Sequence, residues 1–172
     1  GKINILASNF SGNKALGTDA NGTDYQGQGG AIHQTGYNSL NISLSNFAGN
    51  IATEGGGAIY TAADSGEISD TVFNGNIVDD DVPTDDTDGG GAIYNYANDE
   101  DSGLTIIRSV FNGNLSFEAP GGAIFNASDG YLHVRDSSFN GNIAGDLTNE
   151  EMGGALYNQA VLDIRSVTFL AN

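Results

Sequence analysis

Two short phrases alternate along the whole chain, and any fold proposed for it must explain both at once. Phe-x-x-Asn occurs six times, at Phe10/Asn13, Phe47/Asn50, Phe73/Asn76, Phe111/Asn114, Phe139/Asn142 and Phe169/Asn172. Between these lie five copies of Gly-Gly-Ala-(Ile/Leu), at 29–32, 56–59, 90–93, 121–124 and 153–156. The copies recur every 26 to 38 residues, a range in which self-similarity signals a solenoid, a propeller or an array. Upstream of each Phe, apolar and polar residues alternate. Five positions before it stands Ile5, Ile42, Ile68, Ile106, Val134 or Ile164, and seven before it Ile3, Leu40, Gly66, Leu104, Leu132 or Leu162. A period of two is the mark of a strand with one buried and one wet face.

Each repeat thus predicts a half-buried strand, a short Phe strand and a Gly-Gly-Ala strand, with Gly or Asn at the bends. A propeller blade would need four antiparallel strands per unit, so three short strands without a helix favour one turn of a solenoid. The expectation is an all-β parallel β-helix of about five to six coils, three short strands per coil, forming a single domain over residues 1–172. Like residues then stack between coils about 4.8 Å apart. The Ile and Val positions form one inward aliphatic column, the Phe another. In the Gly-Gly-Ala strand the aliphatic residue faces in, with Gly91 making the bend in the third copy.

The Asn that ends each Phe-x-x-Asn is present six times in six. A side-chain amide has donors and an acceptor, so it can pair with the amides above and below and with backbone groups that a tight turn leaves open. Asn13, Asn50, Asn76, Asn114, Asn142 and Asn172 are therefore expected to form an internal ladder. Alternation turns His33, Tyr60, Tyr94, Phe125 and Tyr157 outward. Tyr60, Tyr94, Phe125 and Tyr157 are candidates for an aromatic binding surface for sugars or a protein partner, unless the variable segments cover them. Those segments, 14–28, 51–55, 77–89, 115–120 and 143–152, all leave one corner of the coil, where solenoids often carry their working surface.

Charge narrows the partners. With 5 Lys and Arg against 22 Asp and Glu, the formal net charge is -17, which repels phosphate backbones and anionic lipid surfaces. Nucleic acid is excluded as a partner, and no apolar run has the length of a membrane span. The acidity fits solubility, a high-salt habitat or cation binding. There is no Cys, and His33 and His133 are the only imidazoles, so a zinc site is not expected. Calcium is the candidate ion, because it takes six to eight oxygens and Asp79, Asp80, Asp81, Asp85, Asp86 and Asp88 crowd one segment. No EF-hand or calcium-roll pattern accompanies them. A second constellation arises if neighbouring strands stack: His133 beside Asp163 and Arg135 beside Arg165. It could serve a polysaccharide lyase or hydrolase, with Arg as base. It could equally be a charge ladder between strands.

Gly-Gly-Ala-Ile alternating with Phe-x-x-Asn, as in Gly121-Gly122-Ala123-Ile124 with Phe139-Asn140-Gly141-Asn142, resembles the repeat of the chlamydial polymorphic outer membrane proteins and of adhesin-like surface proteins. The resemblance implies a right-handed parallel β-helix in an exported protein, often an autotransporter passenger, located extracellularly or at the cell surface. It implies attachment to a cell-surface protein or glycan, without catalysis. Ala171 departs from the family pattern by replacing the Gly before the last Asn. The chain begins in a strand and ends at the same phase of a later coil. It is therefore expected to be either a segment of a longer solenoid or a subunit that stacks head to tail into an extracellular filament.

Overall fold

A computed structural model describes residues 2–17, 27–36, 38–79, 89–96, 102–117, 119–127, 130–145 and 152–172. All regular structure in these residues is strand, and the strands are numbered β1 to β22 in chain order. Those with period-two sequence form the first sheet: β1 (Lys2–Leu6), β5 (Ser39–Ser43), β9 (Ser65–Ser69), β13 (Gly103–Ile107), β17 (Tyr131–Arg135) and β21 (Val161–Arg165). The Phe strands form the second: β2 (Asn9–Ser11), β6 (Asn46–Ala48), β10 (Val72–Asn74), β14 (Val110–Asn112), β18 (Ser138–Asn140) and β22 (Thr168–Leu170). Every pairing is parallel, and each strand's neighbours come from the preceding and following coils. This is a parallel β-helix.

The register is the one the repeat demands. Ile5 pairs with Ile42, Ile42 with Ile68, Ile68 with Ile106, Ile106 with Val134 and Val134 with Ile164. Ile42, Ile68, Ile106 and Val134 are at most 1% exposed. The six Phe rings stack face to face beside them, 4.6 to 5.0 Å between centroids and within 15° of parallel. One coil cannot bury these rings by itself, so the stack of coils and the core form together.

Two further sheets complete each coil where the sequence pattern gave one. The Gly-Gly-Ala strands β4 (Ile32–Gln34), β8 (Ile59–Thr61), β12 (Ile93–Asn95), β16 (Ile124–Asn126) and β20 (Leu156–Asn158) form one of them, the fourth in coil order. Between the Phe strand and this one lies a third sheet: β3 (Lys14–Ala15), β7 (Ile51–Ala52), β11 (Ile77–Asp79), β15 (Leu115–Phe117) and β19 (Ile143–Ala144). Complete coils therefore carry four strands, not three, and each segment read as a variable insertion starts with two or three residues of regular ladder. Inward positions on this sheet carry nothing larger than valine: Ala52, Val78 and Ser116, all fully buried. The reason is the Gly-Gly pair, which crosses the coil here at backbone distance.

That crossing divides the labour between the two glycines. The first of each pair makes the bend, with φ of 69° at Gly90 and 72° at Gly56. The second is pinned: a Cβ on Gly91 would lie 2.3 Å from the Gly122 carbonyl oxygen and 2.5 Å from that of Leu115. Gly91 is therefore not the bend residue expected from sequence. It is the point where two walls of the solenoid come closest.

The corner between the first and second sheets uses no glycine. Ala7, Leu44, Asp70, Arg108, Asp136 and Ser166 occupy it with φ between 47° and 53°, a left-handed conformation that costs most L-residues about 1–2 kcal/mol. The next residue in five coils is a hydroxyl: Ser8, Ser45, Thr71, Ser109 or Ser137. Each donates to the carbonyl two residues back, at 2.7 to 3.0 Å. Each from Ser45 onward also accepts the backbone N–H of the corresponding residue one coil earlier. The hydroxyl column satisfies the groups that the sharp turn would otherwise strand.

Candidate functional site

The amide ladder is the most ordered polar feature. Asn114 shows its unit. Its Oδ1 accepts from both the backbone N and the Nδ2 of Asn76, at 3.0 and 2.9 Å. Its Nδ2 donates to Asn142 Oδ1 at 2.8 Å and to the Phe73 carbonyl at 3.2 Å. The same bonds join Asn13 to Asn50, Asn50 to Asn76 and Asn142 to Asn172. Asn50, Asn76, Asn114 and Asn142 are wholly buried, so these four amides close turns that water cannot reach, whereas Asn13 and Asn172 at the two ends of the ladder are exposed. A second ladder, at the end of the fourth sheet, was not anticipated. Thr61 Oγ1 donates to Gln34 Oε1, Asn95 Nδ2 to Asn126 Oδ1 and Asn126 Nδ2 to Asn158 Oδ1, each at 2.7 Å. Its signal was present in Ile93-Tyr94-Asn95, Ile124-Phe125-Asn126 and Leu156-Tyr157-Asn158.

The aromatic column points out of the solenoid, and of the two alternatives the sequence left open, an exposed binding surface or rings covered by the variable segments, Tyr94 and Phe125 follow the second. Tyr60, Tyr94 and Phe125 stack at 5.1 and 4.9 Å, within 11° of parallel. Tyr94 is 7% and Phe125 1% exposed, Tyr60 and Tyr157 are half-buried, and the four make a small second core with Ala127. The cover is backbone. A Cβ on Gly55 would lie 2.6 Å from the Tyr94 ring, and one on Gly89 3.0 Å from the Phe125 ring. Gly55 and Gly89, each preceding a Gly-Gly pair, thus lie over the aromatic residue one coil later.

The charged constellation does assemble. β17 and β21 bring His133 opposite Asp163 and Arg135 opposite Arg165. Asp163 Oδ2 lies 3.1 Å from Arg165 Nη2, 3.6 Å from His133 Nδ1 and 4.0 Å from Arg135 Nη2, while Arg165 Nε donates to Oδ1 at 3.2 Å. The Tyr131 ring meets His133 edge-on at 4.8 Å. Asp163 therefore gathers three basic side chains, all partly exposed.

A second pair escaped the sequence reading. Arg108 grips Asp70 in a two-pronged fork, Nε to Oδ1 and Nη2 to Oδ2, both 2.7 Å. Those hydrogen bonds hold the Asp70 carboxyl below the usual carboxylate range and raise Arg108 above the ordinary guanidinium value. Both stand three residues before their Phe, an offset that would have revealed them as neighbours in adjacent coils. Among the calcium candidates Asp79 is exposed at the end of β11, and Asp80, Asp81, Asp85, Asp86 and Asp88 lie outside the described residues. Among the described residues no three His, Asp or Glu side chains are grouped to hold a metal ion, and no helix is long and apolar enough to cross a membrane.

The fold and these ladders define the class: a parallel β-solenoid repeat protein, held in phase by stacked amides, hydroxyls and rings. Three stretches, residues 7–35, 45–62 and 70–96, match the family model of the Chlamydia polymorphic membrane protein repeat, the family that the Gly-Gly-Ala-Ile and Phe-x-x-Asn phrases resemble. The match supports a cell-surface setting in the coarse sense that the family is one of membrane proteins. No curated protein and no solved structure gives a significant match.

Proposed function

We propose that the chain is a non-enzymatic, adhesin-like module of the cell surface, a stiff rod that presents its sides and loops to a surface protein or glycan of another cell. The observation that carries this reading is that the unit matching the polymorphic membrane protein repeat is the same unit that builds the ladders. Repetition here is spent on a regular, elongating scaffold. The His133, Arg135, Asp163 and Arg165 group supports attachment over polysaccharide cleavage. Both Asp163 oxygens are engaged by Arg165, and the remaining bases converge on the same carboxylate, so the group's one carboxylate is committed to its neighbours and is not left free to hold a metal ion against a substrate.

The test is binding of the fluorescently labelled chain to cultured epithelial cells. Saturable binding that excess unlabelled chain displaces is the expected result, and protease or glycosidase treatment of the cells then distinguishes protein from glycan. Binding no greater than that of an equally acidic control protein overturns the proposal. Release of unsaturated sugars from polygalacturonate with calcium would overturn its non-enzymatic part.

A further inference from the structure

The group around Asp163 is not balanced. The register sets Arg135 directly opposite Arg165, although the chain has only 5 Lys and Arg against 22 Asp and Glu. Like charges opposite one another destabilise a sheet, so a ladder built for stability alone would put an acid there. One carboxylate serves both guanidinium groups. Asp163 accepts a hydrogen bond from Arg165 Nε and lies 3.1 Å from its Nη2, against 4.0 Å from Arg135 Nη2. Among the described residues the Arg135 side chain makes no hydrogen bond, and its Nε is buried without a partner. Arg108 differs, being gripped by Asp70 with Asp136 and Glu67 also in its field. Arg135 is thus the surplus cation of this group.

We propose that Arg135 and Arg165 together bind the carboxylate of a terminal acidic sugar. The side chains are 41% and 64% exposed, so solvent reaches both. With Nε covered, the open edge of Arg135 is its Nη1–Nη2 pair, a planar fork that matches a carboxylate. An anion placed there also relieves the repulsion between the two guanidinium groups. Tyr131 and His133 share the outward side of β17 with Arg135, and the Tyr131 ring meets His133 edge-on. Four residues of strand cover about 13 Å, a length that two sugar rings span, so the neutral sugar next to the acidic one lies along His133 towards the Tyr131 ring. The acid must be terminal and single. The net charge of -17 repels a long polyanion, whereas one carboxylate feels chiefly the local excess, because charges beyond about 8 Å are screened at physiological ionic strength. This assignment rests on the attachment reading and gives it a ligand chemistry and a place.

The probes are cellobiouronate, a glucuronate linked to glucose, and 3′-sialyllactose, with cellobiose and lactose as uncharged controls. NMR titration of the chain should give saturable binding of an acid with a dissociation constant on the order of 1 mM, the strength that ordinary ligand efficiency allows a ligand of this size. The neutral sugars should not bind, and the relative affinities of the two acids tell uronate-ended from sialylated glycans. Arg135→Gln should weaken binding by about tenfold or more. Its urea midpoint should not fall, since no hydrogen bond is lost and a like-charge pair is removed. Lys14→Gln removes the same charge from the third sheet of the first coil and should bind as the parent does. Failure of both acids to saturate by about 20 mM overturns the proposal, as do equal losses in the two variants. A lowered midpoint with unchanged binding also overturns it, because Arg135 is then structural. If labelled chain attaches to cells and Arg135→Gln attaches equally well, the site is wrong and the attachment reading stands. If an acid binds at Arg135 and no cell is bound, the site stands and that reading fails.

Discussion

At the level of single residues, buried amides and left-handed corners carry the clearest energetic consequences. Asn114→Ala removes the acceptor for two Asn76 donors and the donor for Phe73 and Asn142, in a place without water. Unpaired buried groups cost about 1–3 kcal/mol, so the urea midpoint should fall by the equivalent of the upper end of that range. An unchanged midpoint would mean that the neighbouring amides close the gap. Leu44 presents the opposite case. It is 62% exposed and sits at φ 53°, so it pays for a left-handed backbone without burying its side chain. Leu44→Asn should stabilise by about 1 kcal/mol, because Asn tolerates this region far better, and thermal unfolding would show it. Asp70 adds a pH signature. Its carboxyl titrates lower in the folded chain than in the unfolded one because of Arg108. The stabilisation is therefore complete above the unfolded value near 3.9 and drains away as pH falls through the folded value. Asp70→Asn also changes the corner's backbone preference, but that offset does not vary with pH. The gap in melting temperature between parent and variant should hold steady from neutral pH to about pH 5 and shift in the variant's favour below about pH 4.

Within one coil, the two glycines before Ala92 and the glycine before Asn114 serve different geometries, and alanine tells them apart. Gly91→Ala would drive a Cβ into backbone on two sides, the Gly122 and Leu115 carbonyls. Neither can step aside without breaking a ladder, so a loss of about 3 kcal/mol or more is expected. Gly113→Ala meets open space and pays only for φ 56°, about 1 kcal/mol. The chain itself contains that experiment, since Ala171 fills the same place in the last coil at φ 51°. Comparing the two variants by chemical denaturation checks both figures, and equal losses would contradict the close approach at Gly91.

The same coil shows what a sequence can disclose. Ile, Phe, Asn and Gly-Gly were legible because each recurs at a fixed offset and each has one physical reason to be there. The third-sheet strands were not, since two residues such as Ile51–Ala52 are too short to display a period. The hydroxyl column was hidden because Ser and Thr are as common in loops as in ladders. For the aromatic column, alternation gave the direction of Tyr94 and Phe125 but did not decide between exposure and cover by the variable segments. Their cover is the backbone at Gly55 and Gly89, which has no side chain to announce it. At the charged site the pairing of His133 with Asp163 followed from phase alone, whereas the Arg108–Asp70 fork joins two corner positions that no strand pattern includes.

Across the whole molecule, the internal ladders are neutral and the charge is peripheral, so salt should act on the two in different ways. Hydrogen bonds among buried amides and stacking among buried rings are nearly indifferent to ionic strength. The net charge of -17 is not, because repulsion among like charges opposes a compact state and is screened within about 10 Å at 0.1 M salt. The Arg108–Asp70 fork and the group around Asp163 respond in the opposite sense, since salt weakens exposed attractive pairs. They are few and the uncompensated acids are many, so the repulsive response should prevail. Raising sodium chloride from about 0.01 M to about 0.5 M should therefore increase the melting temperature of dilute, monomeric chain by on the order of 5 °C, the shift that one to two kcal/mol gives at this size. Lowering the pH through the carboxylate range should shrink that increment, because the acids then lose the charge being screened. A melting temperature that falls with salt would place the surface pairs, and not the amide and aromatic ladders, at the centre of this solenoid's stability.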